Sequence, residues 1–322
     1  MPVLFTLVAA PLVGMVILLL IPGRRERAIK WVSLITAGIT LALSLFVFLT
    51  YDSSVPGYQF EEQYPWLESL GVSIHLGVDG ISVPMLLLTG IVLFTGVLMS
   101  WNIKPRNKDF FVLIMSLVSG VFGVFVSLDL FFLFFFYEVA VLPMYLLIGI
   151  WGSTSRFPTF FRPKEYGAMK LVLYLVAGSV LVWVGLIAVY VKANVGSFDI
   201  LELQKTNFAG DFQKLFFPFF MVGFGILAGL WPFHTWSPDG HVAAPTSVSM
   251  LHAGVLMKLG AYGIIRVGMT LFPEGATTWM PLLIGLATVN VVYGAISAMG
   301  QRDLKYVIGY SSVSHMGYVL MG

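Results

Sequence analysis

Long apolar runs, separated by short polar stretches, dominate the chain. Bounded by charge or by Pro and Gly, they predict helices near 3–21, 31–50, 81–101, 110–128, 130–151, 168–191, 215–241, 243–271, 278–299 and 306–322. A bilayer crossing takes about 20 residues, so the pattern is that of an all-α polytopic membrane protein with about ten transmembrane helices. The longest polar stretches, 51–80 and 192–214, are too short for a separate folded domain with its own core. Residues 1–322 therefore read as a single membrane domain.

The run 215–241 is too long and too interrupted for one regular helix. It passes through Trp231-Pro232 and meets a second proline at Pro238. Proline removes a helix hydrogen bond and clashes with the preceding turn. Irregular backbone at membrane depth is tolerated where it is buried in protein or lines a wet cavity, and interrupted helices commonly mark a transport path. Trp231, Pro232 and Pro238 are thus the expected helix break.

Composition agrees with a membrane protein: 58% of residues are hydrophobic, 11% charged, and mean hydropathy is +0.91. The net charge of +2 hides an asymmetry. Thirteen of the 18 Lys and Arg fall in loops on one side, only Lys192, Lys205 and Lys214 on the other, and Lys258 and Arg266 within an apolar run. By the positive-inside rule this places the N-terminus outside and the acidic stretch with Asp52, Glu61, Glu62 and Glu68 outside. No long basic face exists in water, which argues against a nucleic-acid partner. The absence of cysteine excludes thiolate ligands to an iron–sulfur cluster, so no redox chemistry is expected on this chain. The basic run Arg24, Arg25, Arg27 and Lys30 follows the first apolar segment, the wrong polarity for a cleaved signal peptide.

Charges inside apolar runs are the candidate chemistry. Glu138 is the single charge in 131–151, and Lys258 lies near the middle of 243–271, too deep to snorkel. A charge at the centre of a membrane helix costs roughly 2.5–3.5 kcal/mol on insertion scales and is by default functional. Together the two suggest an ion or proton path. His234, His241, His252 and His315 fall in or beside membrane segments, and imidazole titrates in the range that proton transfer needs; no HxxxH or HExxH spacing supports a metal site. His252 is within two turns of Lys258. Arg266 lies toward the outer end of the same run. Asp129 and Asp303 precede helices; Asp129 reads as an N-cap, and Asp303 as a cap or a cytoplasmic ion-pair partner. Gly223-x-Gly225-x-x-Ala228 mimics a dinucleotide fingerprint but lies inside an apolar helix with no strand before it. Gly225 and Gly229 read instead as a GxxxG spacing for close helix packing.

Four stretches, LGVDGIS (76–82), FFFYEVAVLPMYLLIGIWG (134–152), WPFHTWSPDGHVAAPTSVSMLHAGVLMKLGAYGIIR (231–266) and QRDLKYVIGYSSVSHMGYVLMG (301–322), resemble the antiporter-like membrane subunits of respiratory complex I, of chain M or subunit 4 type. Related families are the large subunits of multisubunit Na⁺/H⁺ antiporters and membrane hydrogenases. The resemblance implies a proton-translocating subunit of a complex I-like NADH–quinone oxidoreductase, in an energy-transducing membrane such as the bacterial inner membrane. Flavin, iron–sulfur clusters and quinone are then expected on partner membrane and peripheral subunits. An Na⁺/H⁺ antiporter, a hydrogenase subunit or a non-conducting structural module are the alternatives.

In that family the Glu matching Glu138 pairs with a Lys on the broken helix and communicates with a Lys matching Lys258, and the His matching His315 continues the polar axis. Here the broken-helix Lys position is Leu227, and no Lys occurs between Lys214 and Lys258. The family's frequent acidic residue after the His of that helix is also replaced, by Ala243 or Ala244. Family members carry roughly fourteen helices built on inverted five-helix repeats. Residues 1–109 then correspond to the N-terminal helices, 110–271 to the first repeat and 278–322 to the start of the second, and the chain is expected to be a fragment of a longer protein.

Overall fold

The computed structural model describes residues 2–156 and 161–322, the side chain of Arg156 excepted. Among the described residues, nine helices are long and apolar enough to cross a membrane. They are α1 (Val3–Leu20), α2 (Glu26–Thr50), α3 (Ser82–Met99), α4 (Asn107–Val126), α5 (Leu130–Trp151), α6 (Lys164–Ala193), α8 (Gly210–Ala228), the composite span Thr246–Met269, and α12 (Pro273–Met299). The tenth expected segment folds as α13 (Leu304–Met321). It is less apolar than the nine because Tyr310, Ser311, Ser312, Ser314 and His315 interrupt it. Short helices α7 (Ile200–Leu203) and α9 (Trp236–Ala243) complete the set, with α10 (Thr246–Leu251) and α11 (Met257–Gly263) forming parts of the composite span.

Caps were legible where expected. Asp129 accepts from the amides of Phe131 and Phe132, and Asp303 from those of Lys305 and Tyr306, satisfying orphan donors at each helix start.

One element arises where the sequence suggested only a loop. Residues 59–67 and 72–78 pair antiparallel as β1 and β2, turning at Gly71 with φ +65°. The hairpin lies on one end of the bundle and is tied to it through the backbone: Leu128 donates to His75, Phe198 to Gly71, Leu130 to Phe198 and Ile200 to Leu128. The loops at this end are the Lys/Arg-poor ones. Those joining α1 to α2, α3 to α4, α5 to α6 and α12 to α13 gather at the opposite, basic end.

Close backbone approach sets the bundle at two places. A Cβ on Gly120 of α4 would stand 2.6 Å from the Ala140 nitrogen of α5, two residues from Glu138. A Cβ on Gly260 of α11 would stand 2.4 Å from the Ala228 nitrogen of α8. The GxxxG expectation fails in its detail. Gly229 is the left-handed C-cap of α8, at φ +75°, and Gly225 faces Leu230 of its own chain turn. It is Gly223 that admits α6, against the Gly178 carbonyl.

Candidate functional site

The break is where the sequence put it, with one correction. Helix α8 ends at Ala228, turns at Gly229, and the chain resumes as α9 at Trp236; the Trp231–Pro232 peptide is cis. Pro238 does not break anything. It is the third residue of α9, where the first turn's amides have no intrahelical partner and a missing N–H costs nothing. A second interruption follows at Ala244-Pro245, before α10.

Backbone groups freed by the break are taken up by Asn290 of α12, a residue the sequence analysis passed over. Its side-chain oxygen accepts from the Trp231 amide at 2.6 Å, and its nitrogen donates to the carbonyls of Gly229 at 2.9 Å and Val313 at 3.4 Å. Asn290 is fully buried. An Asn in an apolar helix is a signal that could have been read as interhelical glue.

At the basic end of the break sits a partnered charge cluster. Buried Asp239 of α9 receives Lys170 of α6 at 2.8 Å, Arg162, and the Tyr306 hydroxyl of α13 at 3.2 Å. Lys170 had been counted among the loop cations. It belongs to the second turn of α6 and points inward, its side chain 18% exposed. Lys305 of α13 adds bonds to the Val242 and Ala244 carbonyls that close α9.

A second set of polar groups around the break is unlike this. Three rings stack in a row: Trp236 on His252 at 5.1 Å, and His252 on His241 at 4.0 Å with planes 11° apart. His241 Nδ1 lies 2.9 Å from the Ser249 hydroxyl, but its Nε2 and both nitrogens of His252 have no hydrogen-bond partner among the described residues. His234, edge-on to Tyr293 at 5.0 Å, is likewise buried with neither nitrogen bonded. Lys258, half-buried, donates to the Ala253 carbonyl; no carboxylate lies within 4 Å of it among the described residues. Glu138 is half-buried on α5 beside Ser179 of α6, with one carboxyl oxygen buried and unpartnered and no cation within ion-pair distance among the described residues. Leu227, at the position of the missing Lys, is fully buried.

The structure thus gathers His241 and His252 into one cluster that leads toward Lys258, holds His234 at the break, and leaves Glu138 without the ion pair that its family resemblance implies. His315 is apart from them, exposed on α13.

Two wide π turns interrupt the Lys258 helix, at His252–Leu256 and Ile264–Met269. Such turns are often found at functional sites; here Lys258 and its acceptor Ala253 flank or occupy the first, and Arg266 the second. Arg266 does reach toward the hairpin end, but as a buried plug: its guanidinium meets Asp79 at 2.6 Å, Tyr262 at 3.0 Å and the Tyr58 hydroxyl.

An interrupted helix among apolar spans, its freed backbone groups taken up by a side chain and titratable groups without counter-ions beside it, defines the class of polytopic membrane protein with a broken central helix. The chain belongs to the family described as NADH:quinone oxidoreductase/Mrp antiporter, transmembrane, whose profile matches residues 127–322. It is 38% identical to NAD(P)H-quinone oxidoreductase chain 4 3 of Picosynechococcus sp., over this whole chain and 57% of that protein. It is also 38% identical to NADH-quinone oxidoreductase subunit M of Rhodobacter capsulatus, over 92% of this chain and 58% of the relative. A chain of respiratory complex I from Thermus thermophilus superposes with a TM-score of 0.85 at 26% identity, over 98% of this chain and 63% of its own length. The fold is shared with a chain of an archaeal membrane-bound sulfane sulfur reductase, TM-score 0.82 at 21% identity, over all of this chain and 64% of that one. The chain therefore spans just under three fifths of the length of the curated relatives it matches.

Proposed function

We propose that this chain is a proton-translocating membrane part of a complex I-like NAD(P)H–quinone oxidoreductase, with electron transfer on partner subunits driving protonation changes along its buried polar groups. The observation that carries the reading is a set of titratable side chains within the bundle that have no ion-pair partner among the described residues, Glu138, Lys258, His252, His241 and His234, of which all but Lys258 keep at least one buried atom with no hydrogen bond. Buried polar atoms are rarely left unbonded in a folded protein, so groups of this kind suit a proton that comes and goes. Glu138 holds or releases a proton beside Ser179. Lys258 trades its Ala253 carbonyl for a proton acceptor, and the stacked imidazoles pass the proton toward the break. With Leu227 in place of the usual cation, the imidazole pair supplies the relay that the broken helix lacks. His315 would continue the axis beyond this cluster.

Membership of the family, 36–38% identity to chain 4 and subunit M proteins, and the break itself support this assignment. The basic loops favour a cytoplasmic placement of the end that carries Asp239, with the N-terminus and hairpin outside. Residues 110–271 would form the first repeat and 278–322 the start of the next.

The test is proton translocation by the membrane-reconstituted assembly containing a Glu138→Gln chain. Coupled transport is expected to fall about a hundredfold, the scale of losing a positioned proton carrier, while assembly is retained. One observation favours a second reading, a non-conducting structural module: Leu227 and the unpaired Glu138. Full transport by the Glu138→Gln assembly would select it.

A further inference from the structure

The α1–α2 face of the bundle carries two adjoining cavities that the proton path does not use. One is an apolar groove of about 450 Å³ between α1 and α2, lined by Phe5, Ala9, Ala10, Val13, Val32 and Ile35 among others. Its floor is the contact of Gly14 with Thr36, where a Cβ would come within 2.5 Å of the Thr36 side chain. The other, of about 740 Å³, lies at the basic end of the same two helices, between Arg24, Arg25, Arg27, Lys30, Trp31 and Trp101, with Glu26 the one acid in its wall. Trp31 lines the basic cavity and the next residue, Val32, lines the apolar one, so the two meet at consecutive positions of α2.

We propose that this face binds one anionic phospholipid, its phosphate among Arg24, Arg25, Arg27 and Lys30 and an acyl chain along the α1–α2 groove. None of the four cations has a carboxylate within 4 Å among the described residues. A fifth cation, Lys108, is fixed beside them by its 2.6 Å bond to the Leu19 carbonyl at the end of α1. Basic pockets between transmembrane helices recognise anionic headgroups, and the edge-to-face pair Trp31–Trp101, 5.8 Å apart, sits at the headgroup level that aromatic rings prefer.

The groove's length identifies an acyl chain rather than a partner helix. From Phe5 to Ile17 it follows α1 for about 18 Å at 1.5 Å per residue, and on α2 it stops at Ile39, eleven residues short of Thr50. That matches one leaflet of about 15 Å better than the roughly 30 Å a transmembrane helix would need.

Residues 1–322 hold no cysteine, so a thiol introduced among them is unique there. The assembly carrying Ile35→Cys, labelled there with a photoactivatable benzophenone, is reconstituted in equimolar phosphatidylglycerol and phosphatidylcholine and irradiated, and adducts on this chain are read by mass. Phosphatidylglycerol adducts are expected to exceed phosphatidylcholine adducts roughly tenfold. The preference should fall to near parity when Arg24→Gln, Arg25→Gln and Arg27→Gln are combined. High salt should give the same loss on the chain with its arginines intact, since exposed charges are screened. Equal adducts of the two lipids at low salt, or cross-linking to a polypeptide, would overturn the proposal.

Discussion

Two sets of polar side chains around the broken helix treat charge in opposite ways. At its basic end Asp239 is saturated, with two cations and a phenol around one carboxylate. Around Lys258 and Glu138, ionisable groups sit at membrane depth with backbone or serine neighbours and no counter-ion, and five imidazole nitrogens are buried unbonded. A saturated cluster fixes geometry, because any departure leaves a charge stranded. An unsaturated one costs stability and persists where the groups must change partners. The comparison separates the clamp that holds the break from the groups that work in it.

Breaking each half should have a different signature. The largest effect is on transport: Glu138→Gln should reduce proton translocation about a hundredfold with little change in thermal stability, as measured on the reconstituted assembly. Next, Asp239→Asn should do the reverse in kind, destabilising the fold by about 3 kcal/mol because the half-buried Lys170 is left without its charged partner, read as a fall in denaturation midpoint. Asn290→Leu should cost about 2 kcal/mol, since the Trp231 amide and Gly229 carbonyl lose a buried side-chain partner; a wild-type midpoint would show that the break is held some other way.

The smallest effect sharpens the comparison at the hairpin end, where a third cluster is tuned by pH. His75 bonds Asp199 at 2.6 Å, with Glu61 at 3.9 Å and Asp129 close behind. Burial opposes a charge on His75, but the Asp199 bond and charge outweigh it and hold the imidazole above its ordinary range. Asp199 is buried too, yet His75 keeps its carboxyl below the usual value. Burial lifts Asp129 to about 6, against the amides of Phe132, Ser73 and Phe131. A raised histidine stabilises fully below its unfolded value, near 6.5, and that contribution fades as pH rises through the folded one. Asp129, also raised, loses its contribution as pH climbs from its unfolded value, about 3.9, through about 6. Asp199, lowered, would weaken the cluster only in stronger acid. Amide exchange in β2, corrected for intrinsic rate, should therefore be slower at pH 6 than at pH 9. The reverse order would show that the His75–Asp199 contact does not pin the hairpin.

The membrane architecture was readable because apolar runs of bilayer length leave the backbone one solution, a helix. The break at Trp231-Pro232 and the caps at Asp129 and Asp303 were readable because their chemistry is local. What the sequence hid was relational. Nothing in the run around Lys170 says that its side chain turns inward to an aspartate 69 residues away. The π turns beside Lys258 and Arg266 interrupt one apolar run whose residues give no sign of them. Pro238 was misread because a proline breaks a helix interior but starts a helix harmlessly, and only the boundary at Trp236 distinguishes the two. The hairpin at 59–78 escaped because its residues show no clean alternation.

The central claim is that Glu138 changes protonation during turnover. Infrared difference spectroscopy of the reconstituted assembly, comparing turnover with rest and the native chain with Glu138→Gln, tests it directly. A carboxyl band that appears or shifts on turnover and vanishes in the variant is the predicted result. A turnover spectrum identical in the two assemblies would contradict it.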